Sequence, residues 1–502
     1  MRLQLDEQQE FRPTLPVVIG NADFRRFRDR LDRVDELLRL SGVEEGFVEN
    51  GLAQWLREGK DAAKKRGVPF RQPSITKIAR RQRQLRQALR CTLAREFTQT
   101  QYRLFARELA ATPLLQRFCL IDRLDCVKVP ARSTLERFDK LAPEVHLRTL
   151  VDILNRKAIE EAETLDLAQA MTLDAYFSDT TCVEANIHFP ADWVLLRDAV
   201  RTLIKAVLLI RKHGLKHRMP KPEGFISQIN TMCIQMSQSR RRQDAVKSRK
   251  AILRKMKRLA NTVKAHACRY KQVLQTRWKE TDLCEGHIKR IVERIDGVVE
   301  QLPKAIWQAH ERIIGERQIK NADKLLSLYE KDVHVIVRNK PNAEVEFGNK
   351  LMLAELSSGL IVDWKLQRDI DSGDAAMLSP SLERIKTVFG DFPSVVGTDR
   401  GFACKANHQY LEQNKIVDAI CPKDPRELQQ KMTDSLFRRT QKRRAQTEGR
   451  IGILKNVFLE QPMRSKGFSN RETALAWAIL AHNLWLLAGK EKKQHSVLKK
   501  AA

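Results

Sequence analysis

The sequence predicts an α/β protein in which a mixed β-sheet is flanked by helices. Segments rich in β-branched and aromatic residues, typical of strands, occur within 171–188 and again from about residue 333. Segments with helical apolar spacing alternate with strands in the C-terminal part. A length of 502 residues allows about three domains and a sizeable core, and a hydrophobic fraction of 42% argues against general disorder.

Residues 1–165 predict an all-α, basic N-terminal region. Apolar residues recur there at helical spacing and predict one buried helix face: Phe24, Phe27, Leu31, Val34 and Leu38. A further helix is predicted over Ile75–Arg90. Its many arginines fit either a solvated face or a face that contacts phosphates.

The segment of about 98–142 resembles the layout of a helix-turn-helix. Two short helices are predicted at 98–110 and Pro113–Leu120. Ser133 and Glu136 form an S-x-x-E capping box, so a third helix is expected to begin at Ser133. Such a third helix would read DNA with residues near its start. The expected DNA-binding residues are Ser133, Thr134 and Arg137.

A long basic helical insertion is predicted at 199–330, after the first strand. Residues 201–280 contain 22 Lys or Arg and three Asp or Glu. One helix face there is expected to pack through Ile252, Met256, Leu259 and Val263. Counterion release makes such a basic surface a good clamp on duplex DNA, with Arg240, Arg241 and Arg242 among the expected contacts. An RNA-binding or merely solvated arm is the alternative.

The C-terminal part predicts the rest of the sheet and its covering helices. The segments VHVIVRN, KLMLAEL and LIVDWKLQ predict antiparallel strands, and SSG predicts a tight turn between the last two. A helix over 375–389, short strands at Pro393–Asp399 and at 416–420, and two closing helices complete the predicted domain.

The charge of the chain indicates a polyanionic partner. It has 92 Lys or Arg and 62 Asp or Glu, a formal net charge of +30. This favours nucleic acid, with an anionic membrane surface as the alternative. The longest apolar stretch, Thr473–Gly489, is interrupted by His482 and Asn483 and is too short for a membrane span, so it predicts a buried helix.

Several other classes of protein lack their sequence signals. There is no GxxxxGK[ST] loop and no GxGxxG after a strand, which argues against ATPase and dinucleotide chemistry. The GxSxG and HExxH motifs are absent too. The start of the chain does not resemble a secretory signal, and nine scattered cysteines without a Cys/His cluster favour reduced thiols and no zinc. We expect a cytoplasmic, nucleoid-associated protein without a membrane partner.

Three acidic residues are candidates for chemistry. Asp179 and Asp399 are each predicted at a strand end, where sites collect in α/β proteins, although such an aspartate is usually a cap or turn residue. Glu448 is predicted on a helix. At about 100° per residue, Arg444 and Lys455 lie within roughly 40° of it. An ordinary Arg–Glu surface pair is the alternative for this helix.

Together these motifs resemble the DDE transposases of bacterial insertion sequences. The resemblance rests on Asp179 in SDTTCVEANI, Asp399 in GTDRGF and Glu448 in RRAQTEGRIGILK. The last motif is similar to the family signature Tyr-x2-Arg-x3-Glu-x6-Lys, with Gln441 at the Tyr position. The family pattern has Thr directly after the first Asp, which selects Asp179 over Asp174. The resemblance implies an RNase H-like catalytic domain formed by 166–198 and 331–490, followed by a basic tail at 491–502.

The resemblance also implies the chemistry and the partners. Asp179, Asp399 and Glu448 would be catalytic and would hold two Mg²⁺ or Mn²⁺ ions about 4 Å apart, Asp179 bridging both. Arg444, Lys455 and Arg400 would contact DNA phosphates. The implied partners are double-stranded DNA, as terminal inverted repeats and target, and further copies of the chain in a homodimer or larger assembly on DNA. The alternatives are a non-catalytic transposase remnant that binds nucleic acid and an RNase H-like nuclease without strand transfer.

Overall fold

The computed structural model describes residues 14–122, 126–239, 244–340, 343–369, 373–460 and 462–492, with the backbone alone at 338–340 and 343–344. Within these residues, six strands form one mixed sheet: β1 (Ala175–Glu184), β2 (His334–Lys340), β3 (Ala343–Leu356), β4 (Ile361–Leu366), β5 (Val395–Thr398) and β6 (Val417–Asp418). The predicted strands are confirmed, and β6 is shorter than expected. The mixed α/β class is therefore confirmed.

The sheet is antiparallel on one side of β1 and parallel on the other. The long strand β3 pairs with β1 along one edge and with β2 and β4 along the other, all antiparallel. On the far side of β1, the strands β5 and β6 run parallel to it. A glycine is required where β3 meets the end of β1, because a Cβ on Gly348 would lie 2.0 Å from the carbonyl oxygen of Val183.

Seven helices precede β1 in the described residues: α1 (Ala22–Leu40), α2 (Val43–Lys65), α3 (Ile75–Thr98), α4 (Tyr102–Ala111), α5 (Pro113–Phe118), α6 (Arg132–Phe138) and α7 (Glu144–Glu160). The side chain of Asn21 caps α1 by accepting the backbone N–H groups of Asp23 and Phe24. The predicted buried face of α1 is confirmed from Leu31 onward, but Phe24 is 62% exposed. Phe24 lies in the first turn of α1. Phe27, one turn later, is the first aromatic residue of the helix to contact a ring of the core, that of Trp485.

The three short helices of the helix-turn-helix prediction are present as α4, α5 and α6. The predicted capping box is wrong, because α6 begins at Arg132 with Ala131 as its N-cap and without a side-chain cap. Glu136 instead forms an ion pair of 2.7 Å with Arg132. Its carboxylate therefore serves an i, i+4 pair rather than the first turn of the helix.

Four helices lie between β1 and β2: α8 (Asp192–Lys212), α9 (Pro222–Gln238), α10 (Ala245–Arg277) and α11 (Glu285–Ile313). They enclose a hydrophobic core of their own, which is separate from the cores around the sheet. The predicted packed face of α10 is confirmed. Met256 and Val263 are buried, and Ile252 and Leu259 are partly buried against this core.

The C-terminal part has five further α-helices, of which all but α14 pack against strands of the sheet: α12 (Leu378–Phe389), α13 (Lys405–Gln413), α14 (Pro425–Lys431), α15 (Ser435–Ile453) and α16 (Phe468–Ala488). The predicted buried helix at Thr473–Gly489 is confirmed as part of α16, in which His482 and Asn483 are buried. The amide of Asn483 donates to the carbonyl oxygen of Ile361 at 2.7 Å and so joins α16 to β4. Among the helices described, none is both long and apolar enough to cross a bilayer.

The N-terminal helices share their hydrophobic core with one face of the sheet. This core joins residues of α1 to α7 with α16 and with the face of β1 and β3 that carries Val183 and Leu353. Alternate residues of the same strands point to the opposite face, where Tyr176 and Met352 pack with α12 and α13. The sheet is thus covered on both faces, and β1 lies between its antiparallel and parallel parts.

Candidate active site

Asp179 and Asp399 lie side by side where β5 ends. The parallel pairing of β1 with β5 runs to Ser178 opposite Thr398, and the two aspartates are the next residues on their chains. The predicted strand end is confirmed for Asp399. It is wrong for Asp179, which lies in the middle of the ten-residue strand β1. Strand β5 has only four residues and ends at Thr398. Asp179 is therefore the first residue of β1 that has no partner on β5.

Helix α15 packs directly over this junction. Its Thr440 fills the space above Gly397, where a Cβ would lie 2.6 Å from the Thr440 methyl carbon. The amide of Gln441 donates to the carbonyl oxygens of Thr398 at 3.2 Å and Ala419 at 2.6 Å. Gln441, at the position where the transposase signature has Tyr, therefore ties α15 to the ends of β5 and β6.

A buried glutamate on β3 fixes the rotation of α15. Glu355 is fully buried and accepts a hydrogen bond of 2.8 Å from the hydroxyl of Thr447. The guanidinium groups of Arg443 and Arg450 each approach its carboxylate to 3.1 Å. Three consecutive turns of α15 thus meet one carboxylate. Glu355 was not among the residues predicted from the sequence, although an acid within the apolar strand segment KLMLAEL was a usable signal.

Glu448 follows the buried Thr447 and lies on the exposed side of α15. Its carboxylate is close enough to raise the pKa of Asp179 by repulsion. Arg444, one turn earlier, acts oppositely and lowers the pKa of both Asp179 and Asp399. The side-chain oxygen of Gln441 accepts a hydrogen bond of 3.0 Å from Arg444. Strand β1, the end of β5 and helix α15 therefore bring the three predicted acids into one electrostatic neighbourhood.

Both aspartates are harder to ionise than ordinary carboxyls. Burial is the main cause for Asp179 and, with Asp399 and Glu448 nearby, raises its pKa to about 6. Burial likewise raises the pKa of Asp399, and the neighbouring Asp374 adds to that rise. The backbone N–H of Gly401 counteracts this by donating to Asp399 at 3.0 Å. Half-buried carboxylates that repel one another form a site that a bound cation would relieve.

Asp374 is a fourth carboxylate at this site, and it was not predicted from the sequence. It begins a 3₁₀ turn, Asp374–Met377, ahead of α12. Lys350 on β3 approaches one of its oxygens to 2.7 Å, and the hydroxyl of Thr180 donates to the other at 3.3 Å. A Cβ on Gly401 would lie 3.0 Å from a carboxylate oxygen of Asp374 and 3.1 Å from one of Asp399, so a larger residue would have to push the two carboxylates slightly apart. No local motif marks Asp374 in the sequence.

The predicted cations around the acids have different surroundings. Arg400 is exposed in the 3₁₀ turn Arg400–Phe402, directly after Asp399. Lys455 is partly buried and lies in a π-helical turn, Leu454–Phe458, that follows α15. The uniform α-helical spacing used to place Lys455 beside Glu448 therefore does not hold beyond Ile453. A π-helical turn often accompanies a functional site.

The other predicted DNA-binding residues lie elsewhere. Ser133, Thr134 and Arg137 are on α6, whose main packing partners are α3 and α4. Arg137 donates to the hydroxyl of Thr134 at 3.1 Å on an exposed surface. The structure therefore does not bring these residues into the acidic site. The predicted contacts Arg240, Arg241 and Arg242 lie outside the described residues.

The donor set suits a hard divalent cation in its chemistry. Asp179, Asp399 and Glu448 offer carboxylate oxygens, which Mg²⁺ and Mn²⁺ prefer, and the two aspartates are neighbours. In the part of the chain that the structure describes, no three acidic, His or Cys side chains already stand at metal-binding distance from one another. The two aspartates are the next residues after a paired position of β1 and β5, and Glu448 would have to approach them from α15 to complete a three-carboxylate site.

A mixed sheet flanked by helices, with carboxylates at its central strands, is consistent with the RNase H-like class of nucleic-acid enzymes. Residues 339–484 match the family model described as "Transposase DDE domain". The match starts in β2, ends in α16 and includes Asp399 and Glu448, whereas Asp179 precedes it. It supports a transposase of the DDE type. Comparisons with curated proteins and with solved structures gave no significant match.

Proposed function

We propose that this protein is the DNA transposase of an insertion sequence, which binds the ends of its element, cuts them and joins them to target DNA. The observation that carries the proposal is that Asp179 and Asp399 are neighbours at the end of β5, with Glu448 on the overlying helix α15 near enough to affect the pKa of Asp179. The match of residues 339–484 to a transposase DDE domain supports it. The net charge of +30 supports duplex DNA as the partner.

In this proposal Asp179, Asp399 and Glu448 would hold the divalent ions that the reaction needs. Bound there, such ions supply charge stabilisation for the attacking and leaving oxygens of a phosphodiester. Asp399 is held for this task by the Gly401 backbone, and Glu448 by the anchoring of α15 on Glu355. Arg444 and Lys455 orient the phosphates next to the cut, the former by a bidentate contact.

The reaction proceeds in two displacements at phosphorus. Water attacks a phosphodiester at the element end, the P–O3′ bond breaks, and the leaving oxygen takes a proton to become a free 3′-hydroxyl. That hydroxyl then attacks a target phosphodiester, forming a new P–O bond and releasing a target 3′-hydroxyl. Neither displacement needs a covalent enzyme intermediate, which agrees with the absence of Ser and Tyr nucleophile motifs from the sequence.

We further propose that residues 1–165 form the DNA-binding region for the element end, with Ser133, Thr134 and Arg137 on α6 in contact with it. The support is the arrangement of α4, α5 and α6 as three short helices with an exposed Arg137. The insertion at 199–330 supplies a basic surface beside the catalytic domain of 166–198 and 331–490. A homodimer or larger assembly on DNA would present two such surfaces to two element ends.

The test is cleavage of duplexes made from the DNA that flanks the reading frame, where the proposal expects terminal inverted repeats. With Mg²⁺ or Mn²⁺, the wild-type protein should nick them and join the 3′ ends to a target plasmid. Asp399→Asn should abolish both reactions and leave DNA affinity within about twofold, since Asn can still accept the Gly401 hydrogen bond. Glu412→Gln, on the exposed side of α13, is the matched control and should be fully active.

Three outcomes would overturn the proposal. Cutting by Asp399→Asn at the wild-type rate would remove Asp399 from the chemistry. Binding without any cleavage by the wild-type protein would leave a non-catalytic DNA-binding protein. Cleavage without joining would instead point to a nuclease of the same fold, and a substrate panel with branched and hybrid duplexes would identify its substrate.

A further inference from the structure

The exposed face of α9 differs in chemistry from the rest of this basic protein. Charged residues make up 31% of the chain, yet Glu223 in the first turn is the only charged residue of α9. The buried face of the helix, which includes Phe225, Ile229 and Met236, packs on α8 and α10. The opposite face consists of exposed, uncharged residues at helical spacing: Ser227, Gln228, Thr231, Ile234, Gln235 and Gln238.

The long side chains of this face are not used within the protein. In the described residues, no hydrogen bond engages the side-chain amides of Gln228, Gln235 or Gln238. Ile234 lies among them and is 58% exposed. Because these side chains are exposed, packing does not explain the absence of charge over four turns of the helix. A face of amides with one apolar side chain has the groups that contact base edges in DNA.

Exposed basic residues lie on the segments next to α9. The end of α8 and its connection to α9 expose Lys212, Lys216, Arg218 and Lys221. The neighbouring helix α10 exposes Lys247, Arg254, Lys255, Arg258 and Arg269. Among the described residues, no ion pair involves Arg254, Lys255, Arg258 or Arg269. Cations that are not neutralised by carboxylates remain available for phosphates.

We propose that α9 enters the major groove of duplex DNA and reads its bases, while α10 and the connection before α9 bind the flanking phosphates. The inference rests on the proposed function only in taking duplex DNA as the partner. The major groove admits an α-helix, and glutamine can pair with adenine through two hydrogen bonds. An exposed isoleucine can contact the methyl group of thymine. Phosphate contacts fix the position of the protein and base contacts fix the sequence, so the two helices have separable roles.

The experiment is a selection from a library of duplexes with a random 20-base-pair centre, using the full-length protein and sequencing the bound fraction. Wild-type protein should enrich a sequence motif. Gln228→Ala and Gln235→Ala should each lose preference at one or two positions of that motif. Their affinity for the selected duplex should fall about tenfold, with little change for a scrambled duplex. Gln413→Ala, an exposed glutamine on α13, is the matched control and should retain the whole motif.

Substitutions on α10 should have the opposite signature. Arg254→Ala and Arg258→Ala should keep the motif, weaken binding to selected and scrambled duplexes alike, and reduce the salt dependence by about one counterion each. Arg137→Ala on α6 should alter other motif positions than the α9 variants do. Circular dichroism of each variant checks that the helices are intact, which is expected because every substituted side chain is exposed.

The inference is overturned if both α9 variants enrich the wild-type motif at every position, or if the wild-type protein enriches no motif. It is also overturned if an RNA stem of the same sequence competes better than the duplex. These outcomes are separate from those of the cleavage assay. A protein that cuts and joins DNA while its α9 variants select unchanged sequences would lose this inference and keep its proposed function.

Discussion

At the scale of single residues, Asp374 offers a direct test of how the site is supported. Lys350 and Thr180 hold this carboxylate against the turn that carries Asp399. Asp374→Asn should leave Lys350 without its partner and let that turn shift. Because substitution of a group that orients a ligand residue usually costs 10–100-fold, we expect cleavage to fall by about that factor. DNA affinity and the thermal midpoint should change little.

The measurement for Asp374→Asn is single-turnover cleavage at saturating DNA, over a titration of Mg²⁺. A positioning role predicts that high Mg²⁺ restores part of the rate, whereas a merely structural role would not respond to the metal. Glu412→Gln again serves as the control. Wild-type cleavage by Asp374→Asn at low Mg²⁺ would show that Asp374 has no part in the site.

A second residue-scale test concerns pH. Burial raises the pKa of Glu96 to about 7, although Arg95 next to it opposes the rise. Between the ordinary value of 4.5 and about 7, the folded protein therefore holds a proton that the unfolded chain has lost. The contribution of Glu96 to the free energy of unfolding is therefore fully present below about pH 4.5 and is lost as the pH rises through about 7.

The variant Glu96→Gln removes that titration. The thermal midpoint of the wild-type protein, relative to that of the variant, should fall between pH 5 and pH 8. The corresponding free energy of unfolding is roughly 3.5 kcal/mol at most, from about 1.4 kcal/mol per pKa unit. Midpoints followed by circular dichroism at several pH values measure the difference, in which other titrating groups cancel. A difference that stays constant over this range would contradict the prediction.

Residues whose type and neighbours follow a recognisable motif could be identified from the sequence alone. Asp399 precedes a turn signal and Glu448 stands in a spaced run with Arg444, so both are marked by their local sequence. Asp374 is not marked by its local sequence, because its role depends on Lys350 and Gly401, which come from distant segments of the chain. The strand end predicted at Asp179 was wrong, because β1 continues to Glu184. The strand that ends beside Asp179 is β5, and its length could not be inferred from the residues around Asp179.

At the scale of elements, the docking of α15 depends on the buried Glu355. Glu355→Gln would remove the charge that balances Arg443 and Arg450 in this contact. Breaking a buried pair from one side costs about 3–5 kcal/mol, because it leaves unpaired charge in a poorly solvated place. We expect a lower thermal midpoint and a strong loss of cleavage, since α15 carries Glu448.

The control for this element is Glu427→Gln on α14, which removes an exposed i, i+4 partner of Lys431 at 3.5 Å. Such surface pairs contribute little, so that variant should melt and cut like the wild-type protein. Limited proteolysis would show whether α15 has loosened in Glu355→Gln. A variant that resists the protease and cuts normally would mean that other contacts suffice to hold α15.

Most elements could be predicted because apolar spacing is local, but helix boundaries depend on side-chain competition. The start of α6 was misplaced since Glu136 pairs with Arg132 instead of capping the helix. The π-helical turn after α15 has no sequence signal of its own, so uniform α-helical spacing could not place Lys455. The anchoring role of Glu355 also required knowledge of which strand lies beneath which helix.

At the scale of the whole molecule, the cores show how the chain is assembled. The N-terminal helices bury their apolar faces against α16 and the sheet, so that one core spans residues from both ends of the chain. Apolar spacing predicted which helix faces are buried. It could not predict the elements against which they pack, because one apolar face can pack against any other. The insertion is different, because α8 to α11 bury their apolar residues against one another.

The separate core of α8 to α11 should allow the insertion to fold by itself. A segment of residues 190–331, produced alone, should fold into a helical bundle with a cooperative thermal transition, because its core is complete without the sheet. It should bind duplex DNA with a steep salt dependence, about 0.9 per phosphate contact, and should not cut it, since Asp179, Asp399 and Glu448 lie outside it. By contrast, removal of residues 14–165 should leave an aggregating protein, because α16 and one sheet face would lose their cover. Circular dichroism, light scattering and fluorescence anisotropy measure these properties. A bundle that remains unfolded alone, or a soluble and active protein without its N-terminal helices, would contradict this division of the cores.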